Sequence, residues 1–345
     1  MNPPLFRAAL LAALAGLALP VDGASPTAGE AKQWLERMIQ ATQDLNYEGT
    51  FVYVQGADVE AMRIAHSGER GERKKRLVSL TGPPREVIAT REGVLCLLPK
   101  QSRAFAGDNL QQAHFPISVP TELGRLEGQY EFELLGQDRT AGVDTQVVAI
   151  KPRDGWRYGY RLWLDRRNGL LLRSMLLDER SQTIEQLMFT DLQVKPHIDA
   201  AVFEPPVATE RAGLASAAHL VGGVTNASPD RPVVRSAWKV ARAPAGFEKI
   251  LHNGFPETTD KMLDEHMVLA DGLATVSVFV ERIGQEGALL EGPSHLGSMN
   301  AFGVRSGDYQ ILVVGEVPAD TVRMIATSVT REPEPAQDDG EARKP

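Results

Sequence analysis

The feature that most constrains this chain is a run of short apolar segments cut at regular intervals by Gly, Pro, Asn and Asp, extending from Tyr47 to about Val194. It opens with GTFVYVQGADVEAMRIAHSGERGERKKRLVSLTGPPREVI, Gly49 to Ile88. Phe51 and Tyr53 alternate with Val52 and Val54, and AMRIAH and RLVSL follow. The chain then turns through Gly82-Pro83-Pro84, runs as EVIAT, turns at Glu92-Gly93 and runs as VLCLL to Pro99. Period-two patterning between turn residues predicts an antiparallel meander. Gln101 to Leu126 is less regular and predicts helical turns or a loop over the sheet. YEFELLGQ, DTQVVAIKP, YGYRLWLD, LLLRSMLLD and TIEQLMFTDLQV resume the strands, and Asn168-Gly169 predicts a hairpin turn.

A sheet with one wet face alternates apolar and polar residues. Here TFVYV and LWLD…LLLRSMLL keep bulky side chains on both sides. One face can pack on a helix predicted in EAKQWLERMIQATQDLNY, where Trp34, Leu35, Met38, Ile39 and Leu45 recur at helical spacing over about fifteen residues. The other face needs a cover: a conventional two-sided core, a second domain, a partner or a ligand. At about 0.8 kcal/mol per buried methylene, an acyl chain of about a dozen carbons offers on the order of 10 kcal/mol before ordering costs. An open apolar trough therefore favours lipid over sugar or peptide polar groups.

The basic cluster Arg70, Arg73, Lys74, Lys75 and Arg76, diluted by Glu69 and Glu72, reads either as a solvated hairpin tip or as an anion-facing rim. In the second reading the cations hold a phosphate headgroup, or an acidic partner segment, at the mouth of an apolar groove. The chain as a whole carries a formal net charge of -8, which argues against nucleic acid as the partner.

At 345 residues the chain is long enough for two domains. Residues 1–23 read as a cleaved secretory signal: Arg7 precedes an apolar run, Ala8 to Leu19, too short to span a bilayer, and small residues lead to a cleavage site before Ala24. Cys96 is a lone cysteine between Leu95 and Leu97, read as a buried small hydrophobe. Strand regularity ends near residue 204. Residues 205–236 are rich in small residues, Pro and Gly, and read as a linker. A second block, 237–330, holds a strand from Ala274 to Arg282, two strands around Ser306-Gly307-Asp308, and a helix in PADTVRMIATSVT whose Val322, Ile325, Ala326 and Val329 share a face. Residues 331–345 read as a disordered acidic tail.

Catalytic chemistry finds little support. The seven histidines show no metal-ligand spacing. Asp264 to Met267, DEHM, reads as a surface patch in a helix or turn. GPSHLG around Ser294 lacks the spacing of a nucleophile elbow. No cofactor and no metal are expected. A hydrolase using Ser294, Asp264 and His266 is the remote alternative.

Several segments together, LNYEGTFVY, EAMRIAH, RLVSLTGPPREVI, YGYRLWLDRRNGLLLRSMLLDE, EQLMFTDL, LADGLATVSVFVE and VVGEVPADTVRMIA, resemble the MucB/RseB family. The resemblance spans both blocks in order. It implies a mostly β protein with some α: a curved antiparallel sheet like the lipoprotein carriers LolA and LolB, an unclosed barrel with helices on its concave side, in residues 24–204, and a smaller α/β domain after the linker. It implies a periplasmic negative regulator of the envelope-stress sigma factor. Such a regulator binds the periplasmic domain of a membrane anti-sigma factor, shields it from site-one proteolysis, releases it on binding lipid or lipopolysaccharide, and self-associates, a dimer being expected. A lipid or lipoprotein chaperone of the LolA/LolB type is the alternative, and the second domain speaks against it. The expected groove residues are Trp34, Met38, Phe51, Tyr53, Met62, Ile64, Leu162, Leu164 and Leu172, although alternation alone leaves the concave face unassigned. The basic loop shows no family pattern.

Overall fold

The computed structural model describes residues 26–91, 93–98, 101–106, 122–205, 237–254, 263–284 and 289–331. The expected signal segment, all but the first residue of the expected linker, and the expected tail beyond Arg331 lie outside these. Arg331 itself belongs to the fold, not to the tail: it ends the last strand, with its guanidinium 5.3 Å from the Tyr309 ring centroid.

The N-terminal domain is one sheet of eleven described strands in the order β6-β5-β4-β3-β2-β1-β11-β10-β9-β8-β7. The first wing runs as β1 (Tyr47–Gln55), β2 (Asp58–Ser67), β3 (Lys74–Ser79), β4 (Glu86–Thr90), β5 (Gly93–Leu98) and β6 (Gln101–Ala106). The chain re-enters at the far edge as β7 (Tyr130–Thr140). It returns through β8 (Val143–Pro152), β9 (Gly159–Asp165) and β10 (Leu171–Leu177) to β11 (Thr183–Val194), beside β1. Every pairing is antiparallel, so the meander stands and only the β1–β11 contact is non-sequential. One sequence expectation is corrected: Gln101–Ala106 is an edge strand, which its polar residues had masked. The hairpin expected at Asn168-Gly169 forms between β9 and β10, with the Asp165 N–H donating to the Leu170 carbonyl at 2.8 Å across four residues.

Curvature comes from bulges. β1 slips against β11 between Thr50 and Phe51, and β7 slips against β8 between Leu134 and Gly136, whose φ of 101° suits glycine. An extra residue on one strand bends it and increases its twist.

Helix α1 (Pro26–Asp44) lies in the hollow. It is 19 residues long, longer than its apolar stripe suggests, and Leu45 falls just past its end. Ala31, Leu35 and Met38 pack with Leu126, Tyr130, Ile150, Leu162, Leu164 and Leu171. Ala41 meets Phe51, Ile64 and Leu77 of the first wing, together with Leu172 and Phe189 of β10 and β11. One helix thus ties both wings together. Gly169 (φ 86°) marks one close approach, since a Cβ there would sit 2.7 Å from Arg37 Cγ, and Gly68 another, where a Cβ would sit 2.5 Å from the Gln43 carbonyl oxygen.

The C-terminal domain has a six-stranded sheet ordered β13-β14-β15-β18-β17-β16: β13 (Glu248–Gly254), β14 (Leu263–Ala270), β15 (Thr275–Arg282), β18 (Tyr309–Gly315), β17 (Met299–Ser306) and β16 (Gly292–Leu296). Strict alternation on β15 sends Val276, Val278 and Val280 into the core, where Val322, Ile325 and Ala326 of helix α2 (Ala319–Ser328) cover them. Ser277 and Phe279 point to the opposite face. A short pair, β12 (Trp238–Val240) with β19 (Val329–Arg331), brings the start and end of the domain together.

Phe51 has no exposed surface and joins α1 to both wings. Phe51→Ala is expected to cost about 3–5 kcal/mol. A urea titration followed by circular dichroism should show the N-terminal domain's transition moving to lower denaturant; an unmoved midpoint would contradict this placement.

Candidate functional site

α1 is narrower than the hollow it occupies. What it leaves open continues into a cavity of about 1960 Å³ whose far wall is the C-terminal sheet. The N-terminal wall is Met38 and Ile39 of α1 with Tyr53, Met62, Leu171, Leu176 and Leu187 of the strands. The C-terminal wall is Ile250, Ser277, Phe279, Met299 and Val314, the face of that sheet turned away from α2. Ile250 and Met299 are 64% and 39% exposed, so this wall is apolar without being packed.

The cavity is electrically two-ended. Arg73, Lys74 and Lys75 stand at one part of its lining, while Glu60, Glu185 and Glu316 stand at another. Burial pushes the Lys75 ammonium down to about 8. His66 lines the same basic region. It stacks on Tyr47 at 4.8 Å between centroids, and its Nδ1 lies 2.8 Å from the Leu45 carbonyl, which requires the proton on Nδ1. Burial foremost, with Lys75 and Arg73 adding to it against the pull of the Leu45 bond, lowers His66 to about 4.

The cavity exists because the two domains are held together at one buried ion cluster. Arg157, on the segment between β8 and β9, has no exposed surface. Its Nε lies 3.0 Å from Asp271 Oδ2 of the C-terminal domain, and Nη1 lies 3.1 Å from Asp154. Nη2 donates to the Ala245 carbonyl at 2.6 Å, and the guanidinium lies 5.1 Å and 5.6 Å from the ring centroids of Phe247 and Tyr130. The Tyr130 hydroxyl donates to the same Asp271 oxygen at 2.9 Å. Around this centre Asn300 Nδ2 donates to Tyr158 Oη (2.9 Å), Thr321 Oγ1 donates to the Trp156 carbonyl (2.7 Å), and Leu273 packs into the N-terminal core.

Of the groove residues expected from sequence, the structure puts Met38, Tyr53 and Met62 on the cavity wall. Phe51, Ile64, Leu162, Leu164 and Leu172 have at most 1% of their surface exposed; they face α1 and fill the core beneath it. Trp34 is half-buried at the edge of that core, with Arg37 5.0 Å from its ring centroid. Among the basic residues, Arg73, Lys74 and Lys75 line the cavity. Arg76 does not: its Nε is 2.7 Å from Glu86 and its Nη1 donates to the Val202 carbonyl, on the other side of β3. Arg70 lies in the turn Glu69–Gly71 before β3. DEHM is strand, in β14, not a helix or turn. Glu265 within it is buried, accepts from the Ala237 N–H at 2.6 Å and meets His252 at 2.7 Å; His266 stacks on Phe279 at 4.5 Å. Ser294 is exposed on β16, in a different strand. Cys96 is half-buried, and burial raises its thiol. Among the described residues no three His, Cys, Asp or Glu side chains gather as a metal site. Sequence reasoning missed Glu185, Glu316, Asp271 and the C-terminal wall, since nothing local marks a residue that acts across a domain boundary.

The fold and cavity define a two-domain binding protein in which a curved N-terminal sheet and a separate C-terminal sheet share one apolar cleft. The profile of the MucB/RseB N-terminal domain matches residues 30–207 and that of the MucB/RseB C-terminal domain matches residues 233–330; the chain belongs to the MucB/RseB family. It is 32% identical to the sigma factor AlgU regulatory protein MucB of Pseudomonas aeruginosa, across 88% of this chain and 92% of that one. It is 28% identical to the sigma-E factor regulatory protein RseB of Haemophilus influenzae, across 87% and 90%. Among solved structures it is similar to MucB in complex with the periplasmic part of MucA, with TM-score 0.64 and 27% identity over 88% of this chain and 99% of that one. It is also similar to MucB in the Pseudomonas aeruginosa MucA/MucB complex, with TM-score 0.66 and 28% identity over the same shares.

Two outcomes follow from this geometry. Asp271→Ala strands a fully buried guanidinium and should cost about 3–5 kcal/mol, read by calorimetry, while the double change Arg157→Met with Asp271→Leu should recover most of it. His66 is neutral in the fold, so the stability it confers is whole above its ordinary 6.5 and is lost as pH falls through about 4. The loss is on the order of 3 kcal/mol. His66→Gln should flatten that part of the stability profile in urea titrations at stepped pH.

Proposed function

We propose that this chain is a periplasmic negative regulator of an envelope-stress sigma factor. It grips a segment of the periplasmic domain of a membrane-spanning anti-sigma factor between its two domains and shields that segment from the site-one protease. It releases the segment when lipid or lipopolysaccharide takes the cavity. The observation that carries this reading is the shared cleft. At about 1960 Å³ it exceeds the roughly 300–1,000 Å³ of an ordinary small-molecule site, and it has the room and the apolar walls for a peptide segment or acyl chains. That MucB relatives are solved with MucA supports a protein guest. Lipid acts through coupling: it displaces the guest only insofar as it binds the guest-free form better, a difference of about 1–3 kcal/mol in typical linked systems.

The apolar floor of Met62, Leu171, Leu176 and Leu187 favours a second reading, a carrier of lipid or lipoprotein. A carrier has no use for the C-terminal wall. The two readings part on whether that wall matters.

The test is a calorimetric titration of the full chain with the anti-sigma factor's periplasmic domain, repeated with lipopolysaccharide. Met62→Glu on one wall and Phe279→Glu on the other should each weaken guest binding about tenfold or more, because each sets a charge in an apolar contact. Lipopolysaccharide should weaken wild-type binding. Absence of guest binding, or indifference to the Phe279 change, would overturn the two-domain grip. Sedimentation of the free and lipid-bound chain tests the expected self-association.

A further inference from the structure

Two contacts of opposite character join the domains along the cavity. At Arg157 opposite charges meet and both are buried. At the other contact two carboxylates, Glu316 and Glu185, line the same cavity. Glu316, just after β18, accepts from Ser298 Oγ at 2.6 Å through one carboxylate oxygen and turns the other toward Tyr160 Oη of the N-terminal domain, 3.5 Å away. Glu185 of β11 lines the same cavity and accepts from Gln55 Nε2, which also donates to Tyr53 Oη at 3.3 Å. The tip of the C-terminal β16–β17 hairpin rests on that Gln55. Gly297 (φ 59°) has no room for a side chain there, since a Cβ would fall 2.0 Å from Gln55 Nε2. The hairpin tip on Gln55 and Glu316 beside Tyr160 thus join the C-terminal domain to the N-terminal sheet on the part of the cavity that Glu185 lines.

The groups facing Glu316 are Glu185 from β11, Tyr53 from β1, Tyr158 and Tyr160 from the chain entering β9, and Ser298 from its own domain. Glu60 of β2 and Asp271 line the same cavity. The cations beside these last two, Arg85 and Arg157, are held by the same carboxylates at 2.5 Å and 3.0 Å.

We propose that Glu316 is a proton-operated clasp between the domains: with its carboxyl protonated the cleft stays closed, and with it ionised in the presence of Glu185 the C-terminal domain swings away about the Arg157 contact. Burial raises the Glu316 carboxyl above its ordinary value; the Ser298 and Tyr160 hydrogen bonds oppose this and Glu185 adds to it. In an opened molecule the carboxyl is in water and titrates normally. The closed form therefore holds the proton more tightly. Closure is fully favoured below the ordinary carboxyl value and weakens as pH rises through the raised one, by at most about tenfold per pH unit for one proton. The consequence for a guest, a firmer grip in acid, rests on the proposed function; the clasp itself does not.

The experiment is double electron–electron resonance on the full chain with Cys96→Ser, spin-labelled at exposed Arg139→Cys and Asp308→Cys, from about pH 4.5 to about pH 8. The interdomain distance should lengthen as pH rises. Glu316→Gln should hold the short distance throughout, and Glu185→Gln should shift the transition, so that either variant decides the matter if the other fails to fold. A distance indifferent to pH overturns the clasp, as does a wild-type transition surviving in both variants. No guest is present, so a failed clasp is distinguishable from a failed guest interaction.

Discussion

The arrangement of the molecule depends on one buried charge, the Arg157 guanidinium between the two sheets. Removing such a group from water costs several kcal/mol, and the cost is offset only where opposite charge and hydrogen-bond acceptors surround it. Asp154 comes from its own domain, Asp271 and the Ala245 carbonyl come from the other, and two aromatic rings close the remaining sides. Partners drawn from both domains are what make the contact informative. Apolar surfaces can slide over one another at little cost, but a fork of donors with fixed acceptors fixes the relative placement of what carries them. A cleft of defined shape follows from that placement.

The two walls of the cleft arise differently. The N-terminal wall is the part of a bent eleven-stranded sheet that a single helix is too narrow to cover. The C-terminal wall is the second face of a sheet whose first face is satisfied by α2. Each domain thus has a complete core of its own and an apolar surface left over. Facing these leftovers across a gap gives a site that belongs to neither domain, so a guest senses their separation and a change in their separation is felt by the guest.

Charge adds direction. The basic region near Lys74 and Lys75 and the acidic region near Glu185 and Glu316 give the cavity two distinct ends, and apolar residues lie between. An occupant is thereby oriented as well as held. Burial also brings Lys75 and Glu316 closer to ordinary pH than their counterparts in water, while it carries His66 further below, so the contents of the cleft respond to solution conditions differently from free side chains.

The sequence by itself determined the local elements. Alternation at Phe51 and Tyr53, the turns at Gly and Pro, and the helical spacing of Leu35 and Met38 specify strands and helix because these signals act over a few residues. It also determined that the first sheet carries more apolar surface than one wet face allows. Only the tertiary structure decided which of those residues are core and which are wall. Phe51 and Met62 read alike in sequence, yet α1 seals the first and leaves the second open, because a helix of fixed width covers only part of a curved sheet. The same holds for Arg76 and Lys75, neighbours in the chain that a strand's pleat sends to opposite faces. The pairs that join the domains, Arg157 with Asp271 and Tyr160 with Glu316, are more than 100 residues apart, and no short-range pattern can express a contact made only when two finished domains meet.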